Sequence, residues 1–137
     1  MSDENKISTL YKLDSPLEPS NKFIGNAFEY IEAFDASRKL IDKTKRILQL
    51  LQQETQPYQD LDMPLIGVST PEDDEILIGW SVSHVRIGFS IEGGGDESSW
   101  YAVTDGTIDA TNAWGYLNDY ESEEKLVAFL VSYIVGT

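Results

Sequence analysis

A chain of 137 residues with 41% hydrophobic and 11% aromatic content has the material for one folded domain with a sizeable core. It contains no cysteine, which excludes disulfides, thiolate metal sites and a cysteine nucleophile, and favours a reducing compartment. Ten basic residues against 24 acids leave a net charge of −14, which repels nucleic-acid phosphate and anionic lipid and draws in basic partners. The excess is unevenly placed. Residues 1–46 balance at eight of each sign, whereas 47–137 hold only Arg86 and Lys125 against sixteen acids.

Residues 1–22, with Pro16 and Pro19 around Ile7, Leu10, Tyr11 and Leu13, read as a tail or an arm laid across the body. Within it, Leu13–Leu17 has the composition of a short edge strand. The opening residues lack the basic and apolar regions of a secretory signal, and no run reaches the ~18 apolar residues of a membrane span. A cytoplasmic protein without membrane contact is expected, with residues 23–137 as one domain.

From Asn26 to Gln56, Ala27, Tyr30, Ile31, Phe34, Ile41, Leu48 and Leu51 keep a three-four spacing, broadened by Leu40 and Ile47. The spacing predicts one long helix ended by Pro57. A break at Asp35-Ala36-Ser37, with Asp35 capping a second helix from Ala36, is the alternative. The opposite face carries Arg38, Lys39, Lys43, Lys45 and Arg46. No aromatic is interleaved there for base stacking, so a solvated helix face is expected rather than a nucleic-acid surface.

Residues 57–75 begin as a loop, and Leu65, Ile66 and Val68 then suit an edge strand or a segment packed on the sheet. The clearest signal follows. Ile76, Ile78, Trp80 and Val82, then Val85, Ile87, Phe89 and Ile91, alternate strictly on either side of Ser83-His84. Two alternating runs joined by two residues predict an antiparallel hairpin. A third strand is expected over Ser98–Thr104, and Asp105-Gly106 signals a tight turn. Thr107–Ala113 can supply a fourth strand, while Trp114-Gly115-Tyr116-Leu117 reads as an aromatic crossover. Ser122 caps a last helix that has Glu123 and Glu124 in its first turn. Its Leu126, Val127, Phe129, Leu130, Tyr133 and Ile134 would lie on the sheet.

The expected fold is therefore α+β in two layers, an antiparallel meander of three to five strands packed against a long N-terminal helix and a C-terminal helix. The second sheet face would show Leu77, Gly79, Ser81, Arg86, Gly88 and Ser90. It would be flat and sparsely covered, since Gly79 and Gly88 fall side by side.

Catalytic signatures are missing from the pattern. His84 is the one histidine and falls in the hairpin turn, and the run Glu72–Glu75 lacks the ligand spacing of a calcium loop. Gly93-Gly94-Gly95 runs into Asp96 and Glu97 rather than into a lysine and a helix, so it is no phosphate loop. Neither a metal nor a cofactor is expected. Glu92, Asp96, Glu97, Asp105 and Asp109 could meet as a carboxylate pair, though their spacing singles out none.

The aromatics point elsewhere. Trp100, Tyr101, Trp114, Tyr116 and Tyr120, set beside Asp105 and Asp109, suit recognition of a basic protein surface. The favoured expectation is a non-enzymatic protein-binding domain, such as an antitoxin-like or immunity-like inhibitor of a basic partner. The alternative is a small-ligand binder or hydrolase using a carboxylate-lined cleft beside the Trp114 crossover. A homodimer through an edge strand or the open sheet face is a further possibility.

Overall fold

The computed structural model describes residues 21–94, 97–104, 112–117 and 122–135. Two helices come first, α1 (Ala27–Glu32) and α2 (Arg38–Thr55), the second followed by a single 3₁₀ turn at Gln56–Tyr58. Five strands follow: β1 (Gly67–Ser69), β2 (Glu75–Val82), β3 (Val85–Glu92), β4 (Ser99–Thr104) and β5 (Asn112–Tyr116). Helix α3 (Glu123–Val135) closes the described chain. The strands pair antiparallel in sequence order, β1-β2-β3-β4-β5, so the α+β meander takes its five-stranded form.

The single long helix is corrected to two. Ser37 has extended backbone (φ −65°, ψ 151°), and its hydroxyl accepts the Leu40 amide at 3.1 Å. That serine, rather than Asp35, caps α2, because it stands where an orphan first-turn donor points at it. Its hydroxyl also donates to Asp74 at 3.2 Å, fastening the break to the loop before β2. Ser37→Ala should lower stability by about 1 kcal/mol in urea unfolding. A change indistinguishable from zero would mean that packing holds the break and that neither bond of the Ser37 hydroxyl contributes.

Within α1, Ala27 and Ile31 are buried while Tyr30, expected in the same stripe, is exposed. In α2 the buried stripe is Leu40, Ile41, Thr44, Ile47, Leu48, Leu51 and Thr55. Its two threonines return their hydroxyls to the Leu40 and Leu51 carbonyls at 2.8 and 2.7 Å, which makes them tolerable in an apolar interior. Asn21 is buried as well: its amide nitrogen donates to Thr55 Oγ1 (3.1 Å) and Gln56 Oε1 (2.9 Å), and its oxygen accepts the Ile24 amide.

One core joins the helices to the inner sheet face, where Ile76, Ile78, Trp80, Ile87, Phe89 and Ile91 are all buried. Phe23 stands edge-on to Trp80, with ring centroids 5.0 Å apart. Trp80 Nε1 is buried there and has no hydrogen-bond partner among the described residues. Helix α3 runs closest to α2, and Leu126, Val127, Leu130, Val131 and Ile134 complete the core. Its cap is Ser122, whose hydroxyl accepts the Lys125 amide at 3.0 Å. Phe129 and Tyr133 do not reach the core. They form an exposed T-shaped pair on the outer side, because a helix with apolar residues all round can turn only one arc inward.

A second correction concerns Trp114–Tyr116, which belong to a regular strand. Ala113, Trp114, Gly115 and Tyr116 pair with Ala102, Tyr101, Trp100 and Ser99. Residues 1–20 of the expected arm at 1–22, including Leu13–Leu17, the expected turn at Asp105-Gly106 and residues 107–111 of the expected fourth strand lie outside the described residues, and of that strand only Asn112 and Ala113 fall in β5. No helix among the described residues is long and apolar enough to cross a membrane.

Candidate functional site

The outer sheet face is laid out by the register of the ladders. Because Ser83 takes up φ 53°, the two-residue turn Ser83-His84 closes without a bulge and sets every β2 residue opposite its symmetric β3 mate. Residues in line across an antiparallel sheet share a face. One row on this face is Gly67, Gly79, Gly88, Tyr101, Trp114. The next is Ser69, Leu77, Ser90, Ser99, Tyr116. Beyond it stand Glu75 and Glu92, directly opposite each other.

Trp100 and Tyr101 point to opposite faces, as adjacent strand residues must. Trp100 packs against the core, and Tyr101 lies over the two glycines instead. A methyl group built on Gly88 would stand 2.6 Å from the Tyr101 hydroxyl, and one on Gly79 would stand 3.3 Å from it. The flat centre of the face therefore carries an aromatic side chain, which covers backbone that glycine would leave to water.

Trp114 and Tyr116 are the exposed pair on this face, at 66% and 42% relative accessibility. Their rings meet in a T-shape with centroids 5.6 Å apart. The structure thus brings Tyr101, Trp114 and Tyr116 together and sends Trp100 to the other side. Tyr120, Asp105 and Asp109 lie outside the described residues.

The acidic end of the face was not singled out in the sequence. Ser90 Oγ donates to Glu75 Oε2 at 2.6 Å and lies 3.3 Å from Glu92 Oε2, so one hydroxyl bridges two carboxylates. Partial burial and the facing Glu75 charge raise the Glu92 carboxyl above its ordinary value, with Glu97 adding to the repulsion. A signal for this pair existed: Glu75 and Glu92 are equidistant from the Ser83-His84 turn, so the hairpin alone sets them opposite.

A carboxyl raised on folding favours the folded state at low pH, and that contribution is lost as pH rises through the raised value. Glu92→Gln should therefore stabilise the protein at pH 7 by roughly 0.5 kcal/mol and leave it unchanged near about pH 3. Urea titrations at the two pH values check this; an equal gain at both would remove the charge explanation. Glu32 answers acid in the opposite direction. Arg38 and Lys45, at 2.8 and 2.6 Å, hold its carboxyl down at about 2. Its stabilising effect is present above the ordinary carboxylate range and is lost as pH falls through about 2.

A shallow, solvent-open hollow of about 450 Å³ lies toward β1, lined by Pro64, Leu65, Gly67, Gly79, Ser81, Arg86 and Tyr101 among others. Among the described residues no carboxylate lines it, and Glu75 and Glu92 stand outside it. No group of three or more metal-ligating side chains occurs among the described residues. His84 is exposed in its turn.

The basic stretch of α2 is engaged with the rest of the fold. Arg38 forks onto Glu32 and also meets Asp42, Lys45 reaches Glu32, and Arg46 forks onto Glu123 of α3. Lys43 Nζ donates to the Glu92 carbonyl at 2.6 Å. Comparison of the chain with protein-family models, with curated proteins and with solved structures finds no match.

Proposed function

We propose that this chain is a small protein-binding domain, without chemistry of its own, that docks a basic partner on the outer sheet face and acts as its inhibitor. The observation that carries this reading is the Trp114–Tyr116 pair. Two large aromatic rings stand exposed on a sheet face that also presents the Glu75–Glu92 carboxylates. Rigid aromatics give large contact area at small entropic cost, and the charge of −14 raises the encounter rate with a cationic surface.

Two further observations support it over the alternatives. Among the described residues, no acid lines the hollow, whereas a carboxylate-based hydrolase would need a pair of them there. Four of the five clustered cations on α2 already face protein oxygens, which leaves less charge for phosphate than the sequence suggests.

The test is affinity capture from extracts of the source cells at low and moderate salt, with wild type beside the Trp114→Ala/Tyr116→Ala double variant. Wild type should retain a basic protein that the double variant loses, and retention should fall as salt rises. Identical captured sets for the two proteins would remove this face as the docking surface.

A further inference from the structure

The described sheet has two outer strands, and they are not equivalent. β1 is three residues long and is bracketed by Pro64 and Pro71, so it offers little ladder to a newcomer. β5 is five residues long, Asn-Ala-Trp-Gly-Tyr, and contains neither a proline nor a charge. Folded proteins usually blunt an edge with one or the other. Among the described residues, β5 has β4 as its single ladder neighbour.

The phase of that ladder is set by one bond. The Leu117 amide donates to the Ser98 carbonyl at 2.9 Å, so residues 117, 115 and 113 turn their backbone groups toward β4. Trp114 and Tyr116 therefore turn their amide and carbonyl groups toward the outer edge. The two residues with exposed rings thus also turn main-chain donors and acceptors outward, as Asn112 does by the same parity.

We propose that β5 is a strand-accepting edge, and that its occupant is an extended Lys/Arg-bearing segment of another protein, added to the sheet as a further strand. This rests on the proposed protein-binding role and specifies its mode. The added strand bonds to the backbone of Trp114 and Tyr116, and its alternate side chains lie beside their rings. Cationic side chains gain there from the ring faces and from the net charge of −14 carried by the chain as a whole. A second copy of this chain would instead bring another −14 to the same edge, which repels it.

The probe is a capped peptide, Thr-Lys-Val-Lys-Val-Lys-Thr, titrated into ¹⁵N-labelled protein. Two control peptides go with it: one N-methylated at alternate amides, and one with glutamate for lysine. The expected result is saturable binding that weakens with salt, with amide exchange at Trp114 and Tyr116 slowed by roughly tenfold or more. Both control peptides should bind at least roughly tenfold more weakly, as should the parent peptide to Trp114→Ala.

Three results would overturn the proposal. If the N-methylated peptide binds as well as its parent, strand addition is wrong while the basic docking face stands. If the glutamate peptide binds equally, or no peptide binds, the charge-directed role falls with it. If the protein alone shows a concentration-dependent dimer that protects Trp114 and Tyr116, the edge belongs to a second copy.

Discussion

Replacing Phe89 by alanine should destabilise the protein by about 3–5 kcal/mol, seen in urea as a large fall in midpoint with an unchanged slope. Phe89 is 1% exposed on β3, the central strand, with Ile78 and Trp100 directly opposite on its two neighbours. The Trp80 ring lies 6.4 Å away between centroids. Its surroundings are ladder backbone and the facing α2 helix, neither of which can close over the missing ring. The lost transfer energy is therefore joined by that of a cavity. The same substitution at Phe129 serves as control. That ring is 44% exposed on the outer side of α3, so Phe129→Ala should cost below about 1 kcal/mol. Equal losses at the two positions would mean that the core is not built around β3.

Gly88→Ala is expected to destabilise by about 1–3 kcal/mol, although it adds a single methyl group to a strand. The new carbon would stand 2.6 Å from the Ile78 carbonyl oxygen, and 2.6 and 2.8 Å from the Tyr101 hydroxyl and Cε1. Tyr101 can swing away, but the Ile78 carbonyl belongs to the β2 backbone, and moving it disturbs the β2–β3 ladder. Gly67→Ala separates this clash from any general effect of removing glycine. Its methyl would meet nothing nearer than the Gly79 carbonyl at 3.7 Å, and stability should stay within about 0.5 kcal/mol of wild type. A double-mutant cycle with Tyr101→Ala should recover part of the Gly88→Ala loss, since the two changes share a contact. Strict additivity would show that Tyr101 does not rest on Gly88 in solution.

Much of the site was legible where local rules dominate. Strict alternation around Ser83-His84 set the hairpin and its register, and that register alone aligns Gly79 with Gly88 and Glu75 with Glu92. The opposition of Trp100 and Tyr101 followed from strand geometry, and Ser122 is the cap it was expected to be. The failures share a cause. Asp35-Ala36-Ser37 contains two residues able to cap a helix, and the choice of Ser37 is tied to a contact with Asp74, 37 positions away. Gly115 between two aromatics looked like a crossover because β5 has no alternating apolar run. Its strand character comes from pairing with β4, which local composition does not encode.

Local rules alone set the α+β class, the hairpin at the centre of the sheet, the Ser122 cap of α3 and the acidic imbalance beyond residue 46. Each of these depends on neighbours within one or two turns of chain, where spacing and side-chain chemistry suffice. Packing between distant segments settled the Ser37 cap of α2, which arc of α3 is buried, that Tyr101 covers the glycines, and that Trp114 and Tyr116 share an exposed face at the edge of the described sheet. Those outcomes depend on contacts between distant segments. A helix with apolar residues on every side, or a short strand with none in alternation, takes its orientation from whatever it packs against.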